Sequence, residues 1–355
     1  MSIGRSLRRG AMVGGLLSVA TVAARRGAAR RAALRFYDRI GQPAPPRRYG
    51  TFYGGPPGVF HQSEGTWTLH TASLERVAAV LPSDLLRPAR LPGDKGIVMV
   101  GCMRHQLVTV NGVQGQAIPP YGEVMVAIGV TRQAAPPLLP LVAPTWTRMS
   151  LGAFVLHLPV TNRVARDGGR GPYGYPKFVA DMEFEDSVGA CRTRLSEGDH
   201  TILTQQAWPS GRPKLSGGSL TLYSVLDERL LALDVPLSMV EQRRFGKRGG
   251  RLELGDHQVA DELRTLELDP EPFLTRRLTS LRLSLGVPEP IGSARPYTGY
   301  LGEDREFGRY LVSYPGTELM NGRERVSTTI PIEPEPELEL EPEAGEPVPA
   351  GDAMS

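Results

Sequence analysis

Short apolar or alternating runs dominate the middle of the chain. They fall at residues 96–103, 123–130, 153–158, 178–184, 190–195, 201–207, 220–225 and 278–285. Their length and alternation predict half-buried strands. Turn residues separate most of them. Glu185-Asp186-Ser187-Val188-Gly189 and Ser196-Glu197-Gly198-Asp199 have the composition of hairpin loops. Helical spacing occurs over Thr71–Leu81, where Leu74, Val77, Ala78 and Leu81 share a face. Thr71 or Ser73 can cap that helix and Pro82 stops it. A second short helix is predicted over Gln258–Leu266. The pattern therefore predicts a mostly β fold, an antiparallel sheet curled or closed into a barrel, with a few short helices. The 41 Gly and 32 Pro residues suit such a turn-rich chain.

Charge divides the 355 residues further. Residues 1–48 hold eleven Arg against Asp38, and residues 331–355 hold seven Glu plus Asp352 with no basic residue. The net +3 therefore describes the ends, and the nearly neutral body gives no reason to expect nucleic acid. The expected organisation is a basic arm at 1–48, a Gly/Pro-rich linker at 49–64 and a β domain at 65–312. An extension at 313–330 and an acidic, disordered tail at 331–355 follow. In the arm, Arg5, Arg8 and Arg9 precede an apolar run from Ala11 to Ala24, and Arg25, Arg26, Arg30 and Arg31 follow it. That run is shorter than the ~20 residues a bilayer span requires. Association of residues 1–40 with an anionic membrane surface, export through a twin-arginine-like signal, and a mobile arm are the three readings of this segment. The first goes with a cytoplasmic location. Cys102 and Cys191 lack metal-like spacing and read as buried thiols. The six His are scattered, so neither a metal nor another cofactor is expected.

Chemistry concentrates at Gly171-Pro172-Tyr173-Gly174-Tyr175-Pro176-Lys177-Phe178. Lys177 is the only lysine between Lys95 and Lys214, and its neighbours are uncharged. A buried lysine can lose its proton and attack a carbonyl group. Starting from a model value of ~10.4, reaching neutrality requires destabilising the ammonium by roughly 4–5 kcal/mol. Glu123, in an alternating run, is the candidate general acid/base. Arg170 is the candidate holder of a substrate carboxylate, with Arg163 and Arg166 behind it. His157 alternates with Leu156 and Leu158 and reads as a core histidine. His257, after Asp256, reads as a helix cap.

These motifs, in this order, resemble the acetoacetate decarboxylase family. The carriers are Val80-Leu81-Pro82, Tyr121-Gly122-Glu123, Asn162 with Arg170, Tyr175-Pro176-Lys177, Leu252-x-Leu254-x-Asp256-His257-x-x-Ala260, and Pro296-Tyr297-x-Gly299-Tyr300. The resemblance covers about residues 65–300. It implies that Lys177 forms a Schiff base, that Glu123 lies in the pocket, and that the protein can be a homo-oligomer; Tyr175 and Phe178, close to Lys177 in the chain, are candidate substrate-binding residues. Three departures stand out. The decarboxylase's second lysine, directly after the reactive one, is Phe178 here. Its Arg-Glu before the catalytic turn is Arg170-Gly171. A further pocket glutamate would fall near residues 98–102, which contain no acid.

Two functions follow. The first is a cofactor-free lyase acting on a small keto acid through Lys177, by decarboxylation or related aldol or dehydration chemistry. The second is a non-catalytic protein that binds a small molecule on the same fold.

Overall fold

The computed structural model describes residues 27–141 and 149–314. The apolar run 11–24, Trp146 and the acidic tail lie outside the described residues. Fifteen strands form two sheets among the described residues. The larger contains β1 (Arg47–Tyr49), β2 (Phe52–Ser73), β3 (Arg87–Pro88), β4 (Lys95–Asn111), β5 (Tyr121–Thr131) and β6 (Gly152–His157). It also contains β10 (Lys214–Leu226), β11 (Arg229–Phe245), β13 (Leu274–Leu285) and β14 (Glu289–Ser293). The smaller sheet runs β12 (Gly250–Leu254), β9 (His200–Ala207), β8 (Cys191–Glu197), β7 (Asp181–Asp186) and β15 (Tyr310–Ser313).

Pairing in the larger sheet returns to its start. β2 pairs β13, then β11, β10, β6, β5 and β4 follow, and β4 pairs β2 again. Every step of this ring is antiparallel except β10 with β6. Alternation along β4 shows how the ring is filled. Ile97, Met99 and Met103 pack inside it with Trp67 and Met125. Val98, Val100 and Cys102 face the opposite way, into a core shared with Phe184, Leu195 and Leu203 of the smaller sheet. A period of two residues thus supplies two cores from one strand.

The predicted strands and both hairpins are present. The first helix begins later than expected, at Leu74–Ala79, because Thr71 and Ala72 remain paired with β4; Ser73 is its cap. The helix Gln258–Thr265 buries Val259 and Leu263.

Three boundaries are corrected. Residues 49–64 are no linker: they end β1 and form half of β2. Gly54 and Gly55 lie in the strand, at a bulge and a close backbone approach rather than in a loop, since a Cβ on Gly55 would fall on the Ala44 carbonyl. The described part of the basic arm is docked. Residues 27–34 are helical, Ala33 and Phe36 are buried, and Arg39 donates to the Gly218 carbonyl at 2.8 Å. The C-terminal boundary moves as well, because β15 adds residues up to Ser313 to the smaller sheet.

Candidate active site

A short extended segment, residues 158–161, joins the two halves of the site. On one side Val160 bridges Glu123, and the Val124 N–H donates to the Pro159 carbonyl. On the other side Leu158 and Val160 donate to the carbonyls of Pro176 and Phe178. Residues 176–180 are thereby held parallel to this segment, which separates them from β5. Lys177 then reaches across to Glu123, and its Nζ donates to Oε2 at 2.7 Å.

The approach to Lys177 is a helix, Arg163–Tyr173, that composition conceals. Asn162 caps it by accepting from the Ala165 N–H at 2.7 Å. Gly174 ends it in the left-handed region at φ 61°, where a Cβ would meet the Val225 carbonyl. Its glycines create room for neighbours. A Cβ on Gly168 would meet the Phe52 ring, and one on Gly169 would overlap Cδ and Cε of Lys177.

Lys177 is only 5% exposed. Burial alone would push the Glu123 carboxyl up. The Lys177 ammonium, followed by His105, outweighs burial and holds it down to about 2. His105 Nε2 lies 3.5 Å from the second carboxylate oxygen, and its Nδ1 meets Ser63 Oγ at 2.8 Å. The Tyr121 ring lies 5.7 Å from Nζ. Tyr175 stacks on Tyr173 with ring centres 5.5 Å apart. Its buried hydroxyl has no hydrogen-bond partner among the described residues. Burial, with Tyr173 and Glu123 nearby, pushes that hydroxyl well above its ordinary range, so it remains a donor.

Two cavities meet at Lys177 and Tyr175. One, about 640 Å³ including the part open to solvent, occupies the ring between Glu123 and Trp67. The other, about 480 Å³, lies against the Arg163–Tyr173 helix and is lined by Phe52, Val110 and Ile118. No group of three or more His, Cys, Asp or Glu able to hold a metal occurs among the described residues.

A family description, acetoacetate decarboxylase (ADC), matches residues 42–286 of the chain. The chain belongs to the acetoacetate decarboxylase family. The match begins before β1 and ends just after β13, so it spans the whole ring. No curated protein sequence matches. Solved structures share the fold at low identity. An acetoacetate decarboxylase from Legionella pneumophila is 16% identical, with 73% of this chain and 96% of that one covered, at TM-score 0.51. The enduracididine biosynthesis enzyme MppR complexed with pyruvate is 14% identical, with 70% and 99% covered, also at TM-score 0.51.

Against the expectations drawn from the sequence, the ring brings together Lys177, Glu123 and Tyr175 but not the other two residues. Phe178 is fully buried on the opposite side, in the core between the sheets, with its ring 4.9 Å from that of Tyr300. Successive residues of an extended segment point apart, so the residue after the lysine turns away from the cavity. Arg170 lines neither cavity. Its guanidinium donates to the carbonyls of Lys177 at 2.5 Å and Leu301 at 2.8 Å, which makes it a clamp on the backbone. Arg163 and Arg166 are both drawn to Asp304. His157 is a core residue with Glu262 3.0 Å from its Nε2. His257 caps the Gln258–Thr265 helix and binds Glu197 at 3.0 Å. His105 is the residue that sequence reasoning missed. It follows Met103 by two positions on β4, so alternation points it into the ring, but the apolar run stops at Met103.

Proposed function

We propose that the protein is a cofactor-free lyase that forms an imine between Lys177 and the keto group of a keto acid. The supporting observation is the buried 2.7 Å contact between Lys177 and Glu123 at the junction of two cavities. In the reaction, Nζ passes one proton to Glu123 and attacks the keto carbon. A second proton moves from nitrogen to the former carbonyl oxygen. Glu123 then returns its proton to that hydroxyl, which leaves as water, and an iminium ion remains. Tyr175 can donate its unpartnered hydrogen bond to the same oxygen while charge develops there. From a β-keto acid the carboxylate leaves as CO2 and its bonding pair flows through the iminium to nitrogen; an α-keto acid reaches an enamine instead by losing a proton from the carbon next to the imine. The enamine takes a proton at carbon, and water releases the ketone. The same enamine serves aldol-type bond making or dehydration. The pyruvate complex of MppR supports a keto acid as the substrate class.

Imine formation exchanges the keto oxygen with solvent. Incubation in oxygen-18 water is expected to label a keto acid or its ketone product faster with wild type than with Lys177→Met. Equal rates for the two proteins would refute the imine. The closed ion pair also suits a binding protein that never forms a covalent bond, and that reading predicts such equal rates.

A further inference from the structure

The polar groups of the ring cavity are gathered at one end. Four titratable side chains line it, His105, Glu123, Tyr175 and Lys177. Around the rest stand Trp67, Met103, Met125, Val155, Leu222 and Leu237, with further aliphatic neighbours from β10, β11 and β13. The second cavity contains no charged lining residue except Lys177. Arg276 shares the Trp67 ring at 5.3 Å, but its Nε is held by Glu241 at 2.7 Å. Arg170, the cation expected to receive a carboxylate, donates to two backbone carbonyls instead.

Resting on the imine reading above, we infer that the substrate carries an unbranched or aromatic apolar tail, which lies in the ring from Lys177 toward Trp67. The reason is one of matching. A carbonyl at Nζ meets the four polar groups, and everything beyond that point meets hydrocarbon. Each methylene placed there leaves water for an apolar wall. A hydroxyl, amine or second carboxylate on the tail would be buried without a partner. A short polar keto acid would use only the polar end and leave most of the wall uncovered.

The test uses straight-chain methyl ketones, from acetone to about twelve carbons, with Lys177-dependent oxygen exchange as one readout and quenching of tryptophan fluorescence as another. At about 0.8 kcal/mol per buried methylene, the half-saturating concentration is expected to fall roughly three- to fourfold per carbon until the ring is filled. Val235 lines the same wall, and Val235→Phe is expected to end that gain at a shorter chain. If Val235→Phe does not fold, the length series on wild type decides alone. Exchange that occurs at Lys177 but is indifferent to length overturns the tail and leaves the imine standing. Length-dependent quenching without any exchange supports the apolar ligand and removes the imine. Neither exchange nor quenching overturns both.

Discussion

The Lys177–Glu123 pair makes a quantitative prediction about stability. At 2.7 Å and an effective dielectric constant of ~20, the gross attraction is about 6 kcal/mol. Burying the two ions costs several kcal/mol each, so the net contribution of the pair is small. Removing one partner is different, because the surviving charge keeps its burial cost and loses its compensation. The Lys177 side chain is 6% exposed and that of Glu123 is 16% exposed. Glu123→Gln therefore strands the drier charge, and a loss of about 3–5 kcal/mol is expected. Lys177→Met strands the wetter one, which still has His105 3.5 Å away, so the loss should lie at or below ~3 kcal/mol. The double variant contains neither charge. It should lie within about 2 kcal/mol of wild type, well short of the sum of the single losses. Urea unfolding at neutral pH, with the slope checked for constancy, measures all four proteins. Losses that add to within ~0.5 kcal/mol would refute the argument, because they would mean the two charges do not interact.

Four further outcomes are expected. Tyr175→Phe removes a buried hydroxyl that has no partner, so stability should hold or rise by ~1 kcal/mol while oxygen exchange slows, measured by unfolding and by exchange rate on one preparation. Gly169→Ala places a methyl group where Cδ and Cε of Lys177 lie; a loss of roughly 1–3 kcal/mol and a sharp fall in exchange rate would follow, and an unchanged rate would contradict the close approach. Arg170→Ala should cost roughly 2 kcal/mol by freeing the carbonyls of Lys177 and Leu301, without selectively raising KM for substrates that carry a carboxylate. For acid stability, burial opposes charge on Glu123 and on Glu241. The Lys177 ammonium (for Glu123) and Arg243 and Arg276 (for Glu241) hold both carboxyls down to about 2, below their unfolded range near ~4.3. Their contribution is therefore complete above about pH 5 and is lost as pH falls toward 2; an unfolding free energy flat across that interval would show the carboxyls are not depressed.

The Lys177–Glu123 pair was legible in the sequence for different reasons on its two sides. Tyr175-Pro176-Lys177 is a compact motif, and Glu123 interrupts an apolar strand with a charge, which is costly unless something answers it. Composition misled where glycine serves packing instead of turning. The stretch Arg163–Tyr173, with three glycines and a proline, carries no helical signal, yet Gly168 and Gly169 sit in a helix where Phe52 and Lys177 occupy the space their side chains would need. The start of β2 failed for the same reason. Arg170 and Phe178 are near Lys177 in sequence but not in its cavity. In an extended segment, and across the end of a helix, nearness in sequence does not give a shared direction. No local pattern shows that residues 158–161 connect β5 to the lysine segment, because that joint depends on backbone hydrogen bonds between distant segments.

The proposed lyase depends on Lys177 forming the covalent bond. Borohydride reduction in the presence of a keto acid or methyl ketone, followed by intact mass and peptide mapping, tests it most directly. One reduced adduct is expected, on the peptide containing Lys177, and none in Lys177→Ala. Wild type that gains no adduct with polar or apolar carbonyl compounds, or gains it on another lysine, would contradict the account.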